Sequence, residues 1–344
     1  MGQRISEYII EEPLGAGTFG EVWRARHHVW NQQTVAIKLP NNAEFIRDLQ
    51  REGLAVQGLE HPNIVRAIGF DPYADPPYLI MEYVPGSSLR QPLGKGAFAV
   101  TDAIAVMQQI LTGLSHAHGR SLVHRDLKPE NVLLHADVKS KGYAHPGAVK
   151  ITDFGFGKRS TMNAGSIEYS MSANHERAKD IVGTLAYMSP EQRAGEDVDA
   201  RSDLYACGIM LFEMITGEKP TGTEMPSDLS ANVPAEVDEA FRRSYTRLDR
   251  RFASAIEMAT VLGRVRAGGL SRTSIIPPLP KKRGAAACPR CQRGIGGKDQ
   301  FCIHCGVQLV TTVRRCAHCG AYPDMDDEFC TQCGRTIARM RLAN

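Results

Sequence analysis

The rhythm of apolar and polar positions changes several times along the chain. Over residues 8–39 short apolar runs alternate with turn residues, which predicts a β-rich start. From 43 to 59 Phe45, Leu49, Leu54, Val56 and Leu59 recur among charges and predict a helix. Gly53 falls inside it, where glycine weakens a helix by about 1 kcal/mol relative to alanine. Tyr78-Leu79-Ile80-Met81-Glu82-Tyr83-Val84-Pro85-Gly86 reads as a strand running into a turn. A long amphipathic helix is predicted over 101–120, with Thr101 as N-cap and Ile104, Met107, Leu111 and Leu114 on one face. The apolar stretches Val132-Leu133-Leu134 and Val149-Lys150-Ile151 bracket a polar segment, 135–148, that reads as a hairpin extension. An apolar helix is predicted through Thr216, and a last amphipathic one over 253–262. No run of about 18 apolar residues exists, so no membrane span is predicted.

Composition narrows the class. At 344 residues the chain is too long for one core, and its 42% hydrophobic and 23% charged content is ordinary for globular domains. A formal charge of +3 is too small to imply nucleic-acid binding. The first residues lack the apolar core of a secretory signal, so a cytoplasmic location is expected. Gly2 followed by Ser6 fits a myristoylation pattern, but so do many short sequences by chance.

The nine cysteines are unevenly placed. Cys207 stands alone in a helical pattern and reads as a small buried hydrophobe. The other eight lie beyond residue 287, as Cys288-x2-Cys291, Cys302-x2-Cys305, Cys316-x2-Cys319 and Cys330-x2-Cys333. Ten residues separate the two knuckles of each set, and the whole set recurs with a shift of 28, so this is an internal repeat. Paired C-x2-C knuckles suit tetrahedral zinc. Disulfides would require an oxidising compartment, and iron–sulfur chemistry is a further alternative. Cys288, Cys291, Cys302 and Cys305 are expected to hold one zinc ion, and Cys316, Cys319, Cys330 and Cys333 a second, with ligation interleaved between repeats as the other arrangement. The tail, 288–337, resembles a double zinc ribbon. Protein contact is the expected role. Nucleic acid ranks lower, because the tail's arginines come with few aromatics for base stacking.

The densest polar chemistry lies in His124-Arg125-Asp126-Leu127-Lys128-Pro129-Glu130-Asn131. Asp126 can accept a proton, Lys128 can neutralise phosphate charge and Asn131 can offer oxygen to a hard cation. The stretch resembles the catalytic loop of eukaryotic-type protein kinases. Other parts of that machine follow the same order. Leu14-Gly15-Ala16-Gly17-Thr18-Phe19-Gly20-Glu21-Val22 is similar to the glycine loop. Alone it would also fit a dinucleotide fold, but that needs a helix after the third glycine, and Glu21 to Arg26 reads as a strand. Val35-Ala36-Ile37-Lys38 carries the phosphate-gripping lysine, and Glu52 stands where the family has its helix glutamate. Asp153-Phe154-Gly155 is the D-F-G element, and Gly183 to Glu191 resembles the docking loop and A-P-E element with Ser189 in place of alanine. Asp203 matches the aspartate that bonds the catalytic-loop backbone, and Arg251 the arginine that pairs with Glu191.

The resemblance implies a two-lobed α+β kinase fold over residues 8–265, with a small β-rich N-lobe and a mostly helical C-lobe, then a linker at 266–287 and small β zinc-ribbon modules. It implies a serine/threonine protein kinase using ATP and Mg²⁺ on protein substrates. Leu14, Gly15, Gly17, Gly20, Val22, Ala36, Lys38, Met81, Glu82, Val84 and Asp153 would bind ATP. Asp126, Lys128, Asn131, Lys38 and Glu52 would carry catalysis, and Asn131 and Asp153 would hold Mg²⁺. Thr161 and Ser166 lead the phosphorylation candidates in the activation segment. Between Lys219 and Pro234 the family's usual helix is expected to be reduced or missing. A catalytically weak scaffold that binds partners through its ribbons is the competing expectation.

Overall fold

The computed structural model describes residues 2–16, 20–41, 46–154 and 185–265, and within the tail 286–289, 294–295, 308–309, 315–317 and 335–336. Chain contacts divide it into two units, Met1–Leu270 and Ser271–Asn344.

The alternating start of the first unit forms strands β1 (Arg4–Ile5), β2 (Tyr8–Ala16), β3 (Gly20–His27) and β4 (Thr34–Pro40). With β5 (Ala67–Asp71) and β6 (Tyr78–Glu82) they make a six-stranded sheet in the order β1-β2-β3-β4-β6-β5, antiparallel throughout. Helix α1 (Ile46–Val56) packs beside β5 and β6. Its buried stripe is Leu49, Glu52, Gly53 and Val56, at helical spacing. Leu54, expected among the apolar positions, is 60% exposed because it falls on the opposite side of this stripe.

The larger helical part centres on α3 (Ala200–Thr216), which is buried nearly all round and therefore has no polar face. Helices α2 (Val100–His118) and α4 (Ala235–Ser244) pack on it, and α5 (Ala255–Leu262) packs on α2 and α4. Met107, Leu111 and Leu114 of α2 are fully buried, as their spacing predicts. The expected N-cap is corrected: the cap position is Ala99, without a side-chain cap, and Thr101 lies within the first turn. The chain enters tied to α3 through the Phe98 amide on Met214 O at 2.6 Å, and Ala99 O takes the first helical amides. Between Lys219 and Pro234 there is one turn of helix, Pro226–Leu229.

A three-stranded antiparallel sheet, β7 (Gly86–Ser88), β8 (Val132–His135) and β9 (Val149–Ile151), adjoins the catalytic-loop sequence. The polar segment between β8 and β9 contains a turn of helix, Val138–Lys141, with no buried residue. In the second unit, Ala286–Ala287 pairs antiparallel with Gly294–Ile295.

Candidate active site

Strand pleat sets the first part of the site. In β4, Val35 and Ile37 enter the core with Tyr8, Ile10 and Ile80, so Ala36 and Lys38 face the other way. Ala36 there joins Leu79 and Met81, with Val22, Val84 and Leu133 packed on the same cluster. Five residues expected around ATP therefore share one apolar surface: Val22, Ala36, Met81, Val84 and, through its position in β4, Lys38. Leu14 is 44% exposed, and Gly15 lies on the same strand with open space around it. Neither Gly15 nor Gly20 has a positive φ. Gly20 instead permits close strand packing, since a Cβ there would stand 2.3 Å from Leu39 O. Gly17 lies outside the described residues.

Lys38 is 5% exposed and lies between two carboxylates. Its ammonium is 3.0 Å from Glu52 Oε2 and 2.6 Å from Asp153 Oδ1. Burial alone would lower the lysine's pKa, but Asp153 and Glu52 outweigh it and hold it above the ordinary value. Burial pushes the Glu52 carboxyl up, to about 8, against the pull of Lys38. Asp153 goes the other way, because the adjoining ammonium overcomes the burial penalty. Asp153 also adopts a left-handed backbone, φ 62°, while the preceding Thr152 amide is anchored on Asn131 O at 3.0 Å.

The catalytic-loop residues form a second cluster joined to the first by the β8–β9 ladder, where Val132 pairs with Ile151. Lys128 Nζ is 3.0 Å from Asp126 Oδ2. Asn131 donates its amide nitrogen to Asp126 O at 2.8 Å and Oδ2 at 3.3 Å, which points its Oδ1 away as the atom suited to a cation. His124 is fully buried. Its Nδ1 accepts the Asp126 amide at 3.3 Å, its Nε2 donates to Thr152 O at 2.9 Å, and its ring lies 4.7 Å from that of Phe154. Asp203, 1% exposed, accepts the amides of His124 at 2.9 Å and Arg125 at 2.8 Å. That grip holds Arg125 at φ 67°, a conformation worth about 1 kcal/mol or more of strain in a residue with a Cβ. His118 Nε2 completes the shell of Asp203 at 2.7 Å.

Glu82, the last residue of β6, donates its amide to Arg66 O at 2.9 Å. Its carboxylate pairs with Lys150 at 3.0 Å. Beyond the undescribed segment 155–184, Glu191 and Arg251 form a buried two-pronged pair at 2.6 and 2.8 Å, and Ser202 adds a hydroxyl at 2.6 Å. Thr161 and Ser166 lie outside the described residues.

Several contributors carried no sequence signal. Arg90 donates to Glu130 and Glu213, each at 2.7 Å, and also to Tyr187 Oη, whose hydroxyl in turn bonds Glu213. Gln192 donates to Arg125 O at 2.6 Å and closes a capping box with Ser189. A single arginine or glutamine outside any motif cannot be picked out by periodicity. In the tail, Cys288 and Cys316 are buried, and the other six expected zinc ligands lie outside the described residues.

Comparison with known families agrees with this geometry. Residues 8–261 match the protein kinase domain family, and 288–334 match the double zinc ribbon family. The chain is 34% identical over 250 residues to serine/threonine-protein kinase PrkC of Bacillus subtilis, covering 70% of this chain and 36% of that protein. Against serine/threonine-protein kinase PknA of Corynebacterium glutamicum the identity is 32% over 303 residues, with 80% and 58% covered. Against serine/threonine-protein kinase Pkn1 of Myxococcus xanthus it is 30% over 355 residues, with 92% and 47% covered. The chain thus spans between 36% and 58% of the length of these three relatives. Among the described residues no helix is long and apolar enough to cross a membrane.

Proposed function

The chain belongs to the protein kinase family, and we propose that it transfers the γ-phosphoryl group of ATP to serine and threonine hydroxyls of proteins. The observation that carries this reading is the buried meeting of Lys38 with Glu52 and Asp153, joined through the β8–β9 ladder to Asp126, Lys128 and Asn131. A lysine so placed can grip ATP phosphates, and Glu52 steadies it against Asp153. Asp126 orients the acceptor hydroxyl and takes its proton as oxygen attacks the γ-phosphorus. The bond from that phosphorus to the bridging oxygen of ADP breaks, and ADP leaves with the electron pair. Lys128, beside Asp126, neutralises charge gathering on the transferred group.

The donor set fits magnesium: Asp153 offers a carboxylate, and Asn131, its amide nitrogen engaged by Asp126, offers an amide oxygen. Bound there, Mg²⁺ would offset phosphate charge. The apolar surface of Val22, Ala36, Met81 and Val84 suits the flat face of adenine.

The tail would hold two structural zinc ions through its eight thiolates and serve as a protein-binding module. Its buried Cys288 and Cys316 occupy equivalent positions of the two repeats, which supports a matched pair of sites. Thiolate ligation also suits a cytoplasmic setting, where thiols stay reduced.

The test is incubation of the purified full chain with γ-labelled ATP, Mg²⁺ and a mixture of protein acceptors, with phosphosites mapped by mass spectrometry. Label on serine and threonine is expected. ATP binding without transfer to any acceptor, or label confined to tyrosine, overturns the reading.

A further inference from the structure

We propose that Gly53 is a positioning residue for phosphotransfer: its lack of a side chain lets α1 seat against the ring of Phe70, and that seating delivers Glu52 to Lys38. The proposal rests on the kinase reading above.

The argument begins in β5. Ala67 pairs with Met81 and Gly69 with Ile80, so β5 carries one residue more than β6 across this step. The extra residue makes a bulge at Ile68 and reverses the parity of the strand. In a regular strand Ala67 and Phe70, three apart, would face opposite ways. Here Phe70 pairs with Leu79, and both Ala67 and Phe70 pack on the cluster of Ala36, Leu49, Leu79 and Met81. The bulge thereby aims the Phe70 ring at α1.

The helix meets that ring at Gly53. A Cβ built there would lie 2.9 Å from Phe70 Cγ and 3.1 Å from both Cδ atoms. Ordinary carbon contacts sit near 3.5–4.0 Å, so a methyl group would force the helix and ring apart by roughly 0.6–1.1 Å. A side-chain rotation moves Cγ little, because it is the ring atom nearest the backbone, and the half-buried Phe70 side chain packs on the cluster. Glu52 is the preceding residue, and its carboxylate reaches Lys38 at 3.0 Å from a helix held by this contact. Retreat of α1 by that amount would carry the pair of Glu52 and Lys38 beyond hydrogen-bond range. The glycine that looks like a defect in helix propensity is thus what permits the catalytic spacing.

The experiment uses the full chain, with steady-state phosphotransfer, affinity for a fluorescent ATP analogue, and thermal unfolding followed by circular dichroism. Gly53→Ala is expected to lower kcat/KM for ATP by about tenfold or more, the scale of a sub-ångström misplacement. Its unfolding midpoint should hold or fall slightly, since alanine's preference for the helix is offset by overpacking against the ring. Phe70→Ala removes the opposing Cγ together with the surface on which α1 seats, so it is expected to lower the rate itself, though by less than Gly53→Ala does, and added to Gly53→Ala it should restore activity to about the level of Phe70→Ala alone. On a Glu52→Gln background Gly53→Ala should change the rate less than about twofold, because the residue it acts through is already lost. Leu54→Ala, on the exposed side of the same turn, is the control and should leave the rate unchanged.

The proposal is overturned if Gly53→Ala matches wild type, if Phe70→Ala fails to restore it, or if its loss persists in full on the Glu52→Gln background. Should Phe70→Ala not fold, the Glu52→Gln background alone decides. A wild type without turnover refutes the kinase reading instead, and the same variants are then read by the nucleotide-analogue affinity, with the same outcomes for and against.

Discussion

Replacing Arg251 with methionine removes one half of a fully buried ion pair and leaves the other half in place. The Arg251 side chain is 0% exposed and Glu191 4%. Two guanidinium nitrogens meet the two carboxylate oxygens at 2.6 and 2.8 Å, a third donates to Thr246 O at 2.9 Å, and the guanidinium lies 4.7 Å from the Tyr205 ring centre. In the variant, Glu191 keeps Ser202 as hydroxyl donor but has no cation. Stranding a buried charge in this way costs about 3–5 kcal/mol. A second route gives a similar figure. Burial alone would raise the Glu191 carboxyl, but Arg251 and the Ser202 and Ser189 contacts hold it down to about 2, against an ordinary 4.5. That difference corresponds to about 3 kcal/mol. Because the folded-state value is the lower one, this stability is complete above about pH 4.5 and drains away as pH falls toward 2. For a domain of this size the expected drop in unfolding midpoint is about 6–20 °C at neutral pH. Adding Glu191→Gln should return at least half of the loss, because no unpaired charge remains. Urea and thermal unfolding followed by circular dichroism, run at neutral pH and again at about pH 3, measure these changes. A loss below about 1 kcal/mol at neutral pH, or a wild-type advantage that does not shrink in acid, would refute the reasoning.

Asp126→Asn should lower kcat by about 10²–10⁴ with nucleotide affinity nearly unchanged, since the carboxylate acts on the acceptor hydroxyl; retained wild-type turnover contradicts the assignment. Lys38→Met should impair phosphotransfer and weaken ATP binding, which analogue titration would read directly. Active protein should carry phosphate within residues 160–172, with Thr161 or Ser166 the leading acceptors. Full activity with that segment unmodified by peptide mass analysis sinks this idea. Elemental analysis of the full chain should find about two zinc per molecule. A strong chelator under reducing conditions should melt the tail, because structural zinc supplies about 10–16 kcal/mol in small fingers, while the transition of the first unit stays in place. Any other stoichiometry, or a tail that stays folded without metal, removes the double-site reading.

Much of the site could be read from the chain because chemistry and local geometry coincide there. Lys38 stands in a strand buried on both faces, so its apolar run is continuous and its charge conspicuous. Asp126, Lys128 and Asn131 fall within six residues, and a shared loop holds them together. The cysteine repeat is legible for the same reason, since each C-x2-C knuckle is a local turn.

Other features rest on partners far away in sequence. Lys38 meets Asp153 across 115 residues, and Asp203 reaches back 79 residues to the His124 amide. Arg90 collects Glu130, Tyr187 and Glu213 from three separate elements and belongs to no motif. Ala99 starts α2 in place of Thr101 because the entering chain is already tied to α3 through Phe98. Gly53 reads as a helix weakener until the bulge in β5 turns Phe70 toward it. Hydrophobic period and local motifs determine which face of each element is buried and which residues can do chemistry. Which element lies opposite, and at what distance, is decided only by long-range packing, because a one-residue bulge or a missing methyl group moves catalytic atoms without altering the pattern that the chain displays.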